Sequence, residues 1–477
     1  MFHGPSHLAV LTTVENTLST IEEWCKKHKL EISKDKTALM PMFIRKSEIY
    51  KSHPGVTTWG ITVVSRMKYL TVMLDCKLDW FPHTLYLENK LLHIQNNLVR
   101  CSKASWGISY SNLVTVYKHA ILPVIIYVAE AWHSLISIRA KNKLQQIQRS
   151  FLIFLTKAYR SVSLDALQAI VGLMPIEQAV SLYKDIRAIS RGKQTNAVIA
   201  QLRKIETPIK MKGAHPIDSY LHVELTGVEV IAEVTVYTDG SKTEQQVGAG
   251  MAAVKDSREI HTETQRLNNE CTVFQAELCG IRIAIDWIQN QWKKASTYAI
   301  NVGSKAALLT IANKHTTHPL AVDTRRKTIV LRKDTSVTFH WVKGHSGLKG
   351  NERADYLAKT VASYKPATSY DAIPVSRGKR LLEEYYIKIW NAAYTNSEKA
   401  SHTKSLIPST LHRMTLTFWP NHILTQFLKN YGCFRSYFYK SKKTPTPLCS
   451  CPEKAEQTAR HLITDCSLFS KERPAVF

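Results

Sequence analysis

Four side chains in the middle of the sequence could act together: Asp239, Glu277, His345 and Asp355. Carboxylates are the natural ligands of hard divalent cations, and hydrolysis of a phosphodiester with two Mg²⁺ ions needs several of them converging on one point. Asp239 ends an apolar alternation that reads as a strand, and Gly240 and Ser241 after it are small enough to let a substrate backbone approach. Glu277 lies near the start of an amphipathic helix marked by Phe274, Leu278, Ile281, Ile285 and Ile288. Asp355 lies one turn into a second helix, and His345 stands on the glycine-flanked loop Lys343-Gly-His-Ser-Gly347. Any one of these alone reads as a surface carboxylate or a solvated histidine. Their order, each at the end of an element, makes the set specific.

A second constellation lies at the C-terminal end. Cys449, Cys451, His461 and Cys466 form C-x-C-x9-H-x4-C, three thiols and one imidazole, which suits tetrahedral Zn²⁺ with no ligand position left open. The spacing is not that of a common zinc finger, and buried free cysteines are the other reading; Cys433 reads as a packed residue. Just upstream, Lys429, Arg435, Lys440, Lys442 and Lys443 interleave with Tyr431, Phe434, Tyr437, Phe438 and Tyr439. Cations that hold phosphates beside rings that stack on bases make a single-strand platform. The alternative is that the rings pack against the terminal cluster and only the lysines meet solvent.

The elements that must position these residues divide the chain into four stretches. Residues 1–190 read mostly as helices, with Leu18, Ile21, Trp24 and Cys25 on one helical face and Leu144, Ile147, Phe151 and Leu155 on another. Tyr69 to Asp75 reads as a strand running into a turn. Residues 191–228 read as a linker. From 229 to 365 the period changes: strands are expected at Val234–Tyr237, Gly248–Val254, Tyr298–Val302 and Val337–Val342, and helices at 273–288, Lys305–Lys314 and Asn351–Ser363. This is one α/β domain. Residues 366–477 form a basic aromatic tail ending in the Cys/His cluster.

TDGS, FQAELCGI and VTFHWVKGHSGLKGNERADYLAK resemble the motifs of a type 1 ribonuclease H domain, from about Glu233 to Ser363. The resemblance implies a mixed sheet with flanking helices and Mg²⁺-dependent (or Mn²⁺-dependent) cleavage of the RNA strand of an RNA–DNA hybrid, told from DNA by its 2′-OH. Asp239 would then bridge two metals, Glu277 would hold one and Asp355 the other, with His345 on a mobile loop that assists water activation or product release. One position departs. The family carries Asp-Ser where this sequence has Gly303-Ser304. Glycine has no ligand atom, Asn301 stands about 6–7 Å back along the strand, and Asp286 lies about 180° from Glu277 around the helix. The fold is expected to survive and the catalysis to be impaired.

The flanks extend the resemblance. IEEWCKKHKLEISKDKTALM and MKYLTVMLDCKLDWFPH resemble the end of a reverse-transcriptase palm, and ILPVIIYVAEAW with IQRSFLIFLTKAYRSVSLDALQAIVGLMPIE resembles the thumb-like region after it. Together with the terminal cluster, the arrangement looks like the reading frame of a non-LTR retrotransposon. That family's Tyr-x-Asp-Asp turn has no counterpart in MFHGPSHLAV, so DNA synthesis by this chain alone is not expected. Thr71 stands where the family prefers glycine.

The composition agrees with such a reading. At 477 residues, about three domains are expected. With 64 Lys and Arg against 38 Asp and Glu, the net charge of +26 suits a polyanion. No apolar stretch reaches the roughly 20 residues of a membrane span, no secretory signal is visible, and nine irregularly spaced cysteines argue against a disulfide framework. The expected partners are an RNA–DNA hybrid and single strands, with neither membrane nor small-molecule substrate. An intracellular location is expected, the nucleus included, although no clean basic import run stands out. The reading is a retrotransposon-derived ribonuclease impaired at Gly303, and its competitor is a catalytically inactive nucleic-acid-binding remnant.

Overall fold

The computed structural model describes residues 3–42, 62–102, 106–193, 204–209, 221–244, 246–291, 295–344, 346–363 and 368–473. The chain divides into two compact units, one of residues 1–184 with 385–477 and the other of residues 185–384. The boundary drawn at 366 therefore moves: residues 368–384 go with the α/β unit, and the Cys/His tail folds with the N-terminal helices.

In the first unit, α1 (His7–Lys27) is capped by Ser6, whose hydroxyl accepts from Ala9 N–H. None of its described side chains is buried, and Ile21 and Trp24 lie exposed. The stretch from Tyr69 to Asp75 is not one strand. It is the turn and second arm of a hairpin, β1 (Arg66–Tyr69) and β2 (Val72–Asp75), because Leu70 and Thr71 both take positive φ, 45° and 67°. Paired left-handed residues make the tight hairpin turn, and a β-branched Thr is strained there where glycine would not be. Asp75 is structural: its carboxylate accepts from the N–H groups of Lys77, Asp79 and Trp80 at 3.0–3.2 Å. These bonds set the entry to α2 (Phe81–Arg100).

Next come α3 (Tyr110–Val116), a π-helical turn Tyr117–Ile121, α4 (Leu122–Ile126) and α5 (Ile138–Thr156), whose Leu144, Ile147, Phe151 and Leu155 are buried as their spacing requires. No single described helix is long and apolar enough to cross a membrane. The bent pair Tyr110–Ile126 and Ala129–Leu135 passes on length and composition, but Tyr117, Ile121, Ile125 and Trp132 are all core residues. Two further helices, α6 (Leu164–Val171) and α7 (Ile176–Ser190), complete this stretch.

The second unit is built on a six-stranded sheet. Its strands are β3 (Val223–Gly227), β4 (Val234–Lys242), β5 (Val247–Lys255), β6 (Arg258–Leu267), β7 (Thr297–Val302) and β8 (Ser336–Val342), in the order β3-β8-β7-β4-β5-β6. The pairs β4–β5 and β5–β6 are antiparallel; β4–β7, β7–β8 and β8–β3 are parallel. Strand β3 lies inside the stretch assigned to a linker, so that assignment ends at 222. Val223-Glu-Leu-Thr-Gly227 is a five-residue edge strand with only Val223 and Leu225 packed on the core, too short for its alternation to stand out. Strand β6, REIHTETQRL, carries one buried residue in ten and has no apolar alternation to mark it.

Three helices pack on this sheet, α8 (Val273–Gln289), α9 (Lys305–Ala312) and, in chain order after α10 (Pro319–Leu331), α11 (Lys349–Ser363); α10 itself packs against α8 and α9. A capping box starts α8, with Thr272 accepting from Gln275 N–H and the Gln275 side chain accepting from Thr272 N–H. Two close approaches demand glycine. A Cβ at Gly250 would meet Ala354 O at 2.6 Å, and one at Gly240 would meet Ala276 C at 2.6 Å. Side-chain-free strands thus let α11 and α8 sit directly on β5 and β4.

The last helices are α12 (Val375–Asn396), α13 (Ser401–Leu406), α14 (Thr410–Thr415), α15 (His422–Lys429), α16 (Arg435–Lys440) and α17 (Ala459–Thr464).

Candidate carboxylate site and Cys/His cluster

Asp239 lies on β4 beside the sheet's centre, Glu277 in the first turns of α8 and Asp355 in α11. The close approach at Gly240 is what brings them together, because it seats the backbone of Ala276 and Glu277 against the strand that carries Asp239. Glu277 is buried, its carboxyl hydrogen-bonded to that of Asp239. Burial raises its pKa above the usual carboxylate range, and the Asp239 and Asp355 charges raise it further. One Glu277 oxygen, Oε2, is buried without a hydrogen-bond partner. Asp355 lies farther out and pairs with Lys359 Nζ at 2.5 Å, one turn along α11 on an exposed side chain that is free to swing away.

These observations fit a cation site. Glu277 is pressed against Asp239, the Asp355 charge acts on the same carboxyl, and a buried Glu277 oxygen has no donor.

Gly303 stands where the resemblance places a third ligand to the Asp239–Glu277 position, directly after β7. Its backbone is held by its N–H to Thr238 O at 3.5 Å and by Trp341 Nε1 donating to its carbonyl at 3.1 Å. Unlike Gly240 and Gly250, it has room: a Cβ there would meet Asn351 Oδ1 and Asp239 Oδ1, each at 3.6 Å. Asn301 cannot substitute, since its side chain is buried and spans Val230 N–H and C=O at 3.2 and 3.0 Å. Asp286 is held by Lys327 at 2.6 Å, away from the site. His345 lies outside the described residues. Asn351 was not singled out from the sequence, although it stands in the GNERAD motif next to Asp355; only its burial against residue 303 draws attention to it.

In the tail, the ligand atoms of Cys449, Cys451, His461 and Cys466 all lie within 4.8 Å of one another, and all four residues are buried. The Cys449 and Cys466 sulfurs are 3.7 Å apart, and Cys451 Sγ is 3.3 Å from His461 Nε2. A tetrahedron with Zn–S near 2.3 Å has sulfur–sulfur edges of about 3.8 Å, so the donor set fits zinc. Cys433, expected to be packed, is instead exposed.

The basic aromatic run is only partly a surface. Lys429 is corrected outright: it is 5% exposed, its Nζ has no hydrogen-bond partner, and burial pushes its pKa down to about 7. A lysine in that position does not present a phosphate contact. Tyr437 is half-buried, stacked on Tyr159 and edge-on to Tyr431. Arg435 is tied to the Cys/His lobe through Leu448 O at 3.2 Å. Lys440, Lys442 and Lys443 remain exposed, beside a half-exposed Tyr439.

Comparison with known proteins agrees with this geometry. Residues 232–363 match the RNase H family. The chain is 25% identical over 194 residues to a Pol polyprotein of the type-1 retrotransposable element R1 of Nasonia vitripennis, covering 37% of this chain and 49% of that protein. A match at 25% to the corresponding R1 polyprotein of Bradysia coprophila covers 40% of this chain and 18% of that one. A bacterial ribonuclease H from Bartonella quintana matches at 26% over 161 residues, 28% of this chain and 91% of its own length. The chain thus spans about half the length, or less, of the retrotransposon relatives named here. It carries a ribonuclease H-like domain and shares homology with R1 polyproteins.

Proposed function

We propose that residues 229–365 bind an RNA–DNA hybrid and hydrolyse its RNA strand with Mg²⁺ or Mn²⁺, at a rate reduced by Gly303. The observation that supports this reading is Glu277, buried and hydrogen-bonded to Asp239, with the Asp355 charge acting on the same carboxyl. A carboxyl held against another in this way keeps a proton unless a cation takes its place between them. Asp239 and Glu277 would hold one cation and Asp355, with Asp239, the other. What bound divalent ions supply is charge neutralisation at the phosphoryl oxygens and activation of water. Contrary to what its sequence position suggests, Gly240 does not open a path to a substrate backbone; its missing side chain is what seats Glu277 against Asp239. By the resemblance, His345 would assist water activation or product release.

The test is cleavage of a labelled RNA–DNA hybrid by the full chain in Mg²⁺ and Mn²⁺, beside Asp239→Asn. Cutting that disappears in Asp239→Asn supports the enzyme. Hybrid binding with no cutting by the parent favours a second reading, a binding protein with a disabled site. The specific observation behind that second reading is the open space at Gly303, where no carboxylate stands.

For the tail, the reading is a structural Zn²⁺ site at Cys449, Cys451, His461 and Cys466, with Lys440, Lys442 and Lys443 meeting phosphates. Residues 1–190 are a polymerase-like remnant in this reading, and an intracellular place for the protein goes with it.

A further inference from the structure

We propose that Asn351 has taken over the place of the missing carboxylate, its side-chain oxygen serving as the third oxygen ligand of the cation held by Asp239 and Glu277. The inference rests on the reading of those carboxylates as a cation site and goes beyond it, since it assigns a ligand that the family's acidic pattern does not contain.

The argument begins with space. A Cβ placed on Gly303 would stand 3.6 Å from Asn351 Oδ1 and 3.6 Å from Asp239 Oδ1. The volume that a side chain at 303 would fill is therefore bordered by these two oxygens, one from α11 and one from β4. Asn351 is 3% exposed, and its Oδ1 is buried with no hydrogen-bond partner among the described residues. Glu277 Oε2 is in the same condition, on the carboxyl that touches Asp239. A buried amide oxygen does not go undonated without reason, because it has given up water for nothing. Hard cations accept Asn carbonyl oxygens as well as carboxylates, and a divalent ion beside Asp239 is a partner that would satisfy the lone Asn351 oxygen.

The placement is also rigid. Asn351 lies in the first turn of α11, seated on the sheet through Gly350, where a Cβ would collide with the Tyr237 ring. A neutral ligand in place of an anionic one lowers the site's charge by one, so the cation is held more weakly but still held.

The competing account keeps Asn351 but turns its amide over, so that Nδ2 donates to Asp239 and no ligation is involved; oxygen and nitrogen of an amide are assigned from partners, not seen directly. Three measurements on the full chain separate the two. Mg²⁺ and Mn²⁺ affinity by titration calorimetry should fall about tenfold or more in Asn351→Ala, the scale of losing one oxygen ligand. Thermal stability in EDTA should be unchanged in Asn351→Ala, whereas the stabilisation conferred by Mn²⁺ should shrink. In a Gly303→Asp background, Asn351→Ala should no longer matter, because the restored carboxylate occupies the same volume and the two substitutions are non-additive.

An Asn351→Ala variant that binds Mn²⁺ as tightly as the parent, or that loses stability equally with and without the ion, overturns the proposal. Asp239→Asn keeps the two failures apart. If Asp239→Asn abolishes Mn²⁺ binding while Asn351→Ala leaves it intact, the cation site stands and Asn351 is not its ligand. If Asp239→Asn also binds normally, the cation site itself is wrong and the proposal falls with it.

Discussion

Restoring a carboxylate at position 303 is the perturbation that separates a weakened site from a dismantled one. Gly303→Asp should be accommodated sterically. The new Cβ meets nothing nearer than 3.6 Å, and the glycine does not use the left-handed region. Its backbone stays anchored to Thr238 and Trp341. Electrostatics then decides the outcome. A carboxylate reaching from residue 303 comes to about 5 Å from Asp239, which at an effective dielectric of 20 is a repulsion of about 3 kcal/mol. Asp239 is only half-buried, so solvent screening brings this to about 1–2 kcal/mol. Without divalent ions the variant should therefore be less stable than the parent by that amount. With Mg²⁺ or Mn²⁺ the sign reverses, because the same charge now attracts: affinity should rise at least tenfold, about 1.4 kcal/mol, and hybrid cleavage should rise with it. The assay is thermal unfolding of the full chain in EDTA and in each ion, paired with cleavage of a labelled hybrid. A variant equally stable in EDTA, with unchanged ion affinity, would refute the reasoning, since residue 303 would then not face the carboxylates at all.

Lys429→Met should stabilise the protein most at low pH. With its pKa pushed down to about 7 by burial, Lys429 binds fewer protons folded than unfolded between about pH 7 and 10. The parent's stability thus rises across that window, the penalty is full below it, and the gain on substitution should be on the order of a few kcal/mol at pH 6.5 and fade by pH 10. Urea denaturation at the two ends checks this, and a gain independent of pH would contradict it. Stripping zinc with a strong chelator should lower the melting temperature of the unit that holds Cys449 and Cys466, Zn²⁺ but not Mg²⁺ should restore it, and Cys466→Ala should reproduce the loss. Melting that does not respond to the chelator would mean that the four residues are simply packed.

Much of the site was legible before any coordinates, and for a physical reason. The apolar patterns around Asp239, Glu277 and Asp355 fix the type of each element but not where it stops: β4 runs past Asp239 to Lys242, and Asp355 lies in the middle of α11. That Gly303 stands where a carboxylate is expected rests on the resemblance, and the Cys449 to Cys466 donor set on its own spacing. Elements without a strong pattern were not legible: β3 is too short for its alternation to stand out, β6 has no apolar alternation, and the hairpin at Leu70–Thr71 has no glycine to mark its turn.

What the sequence determined alone is therefore local: the type of each strong element and the identity of the carboxylates on them. The tertiary structure decided everything that depends on who packs against whom. Lys429 and Lys443 are alike in sequence, yet one is enclosed with no partner and the other is solvated. Gly240, Gly250 and Gly303 are equally bare, but the first two are crossed by helix backbone and only the third opens on space. Asn351 gains its meaning from burial beside that space. Burial and proximity are properties of the folded chain, set by residues distant in sequence, and no spacing along the chain encodes them directly.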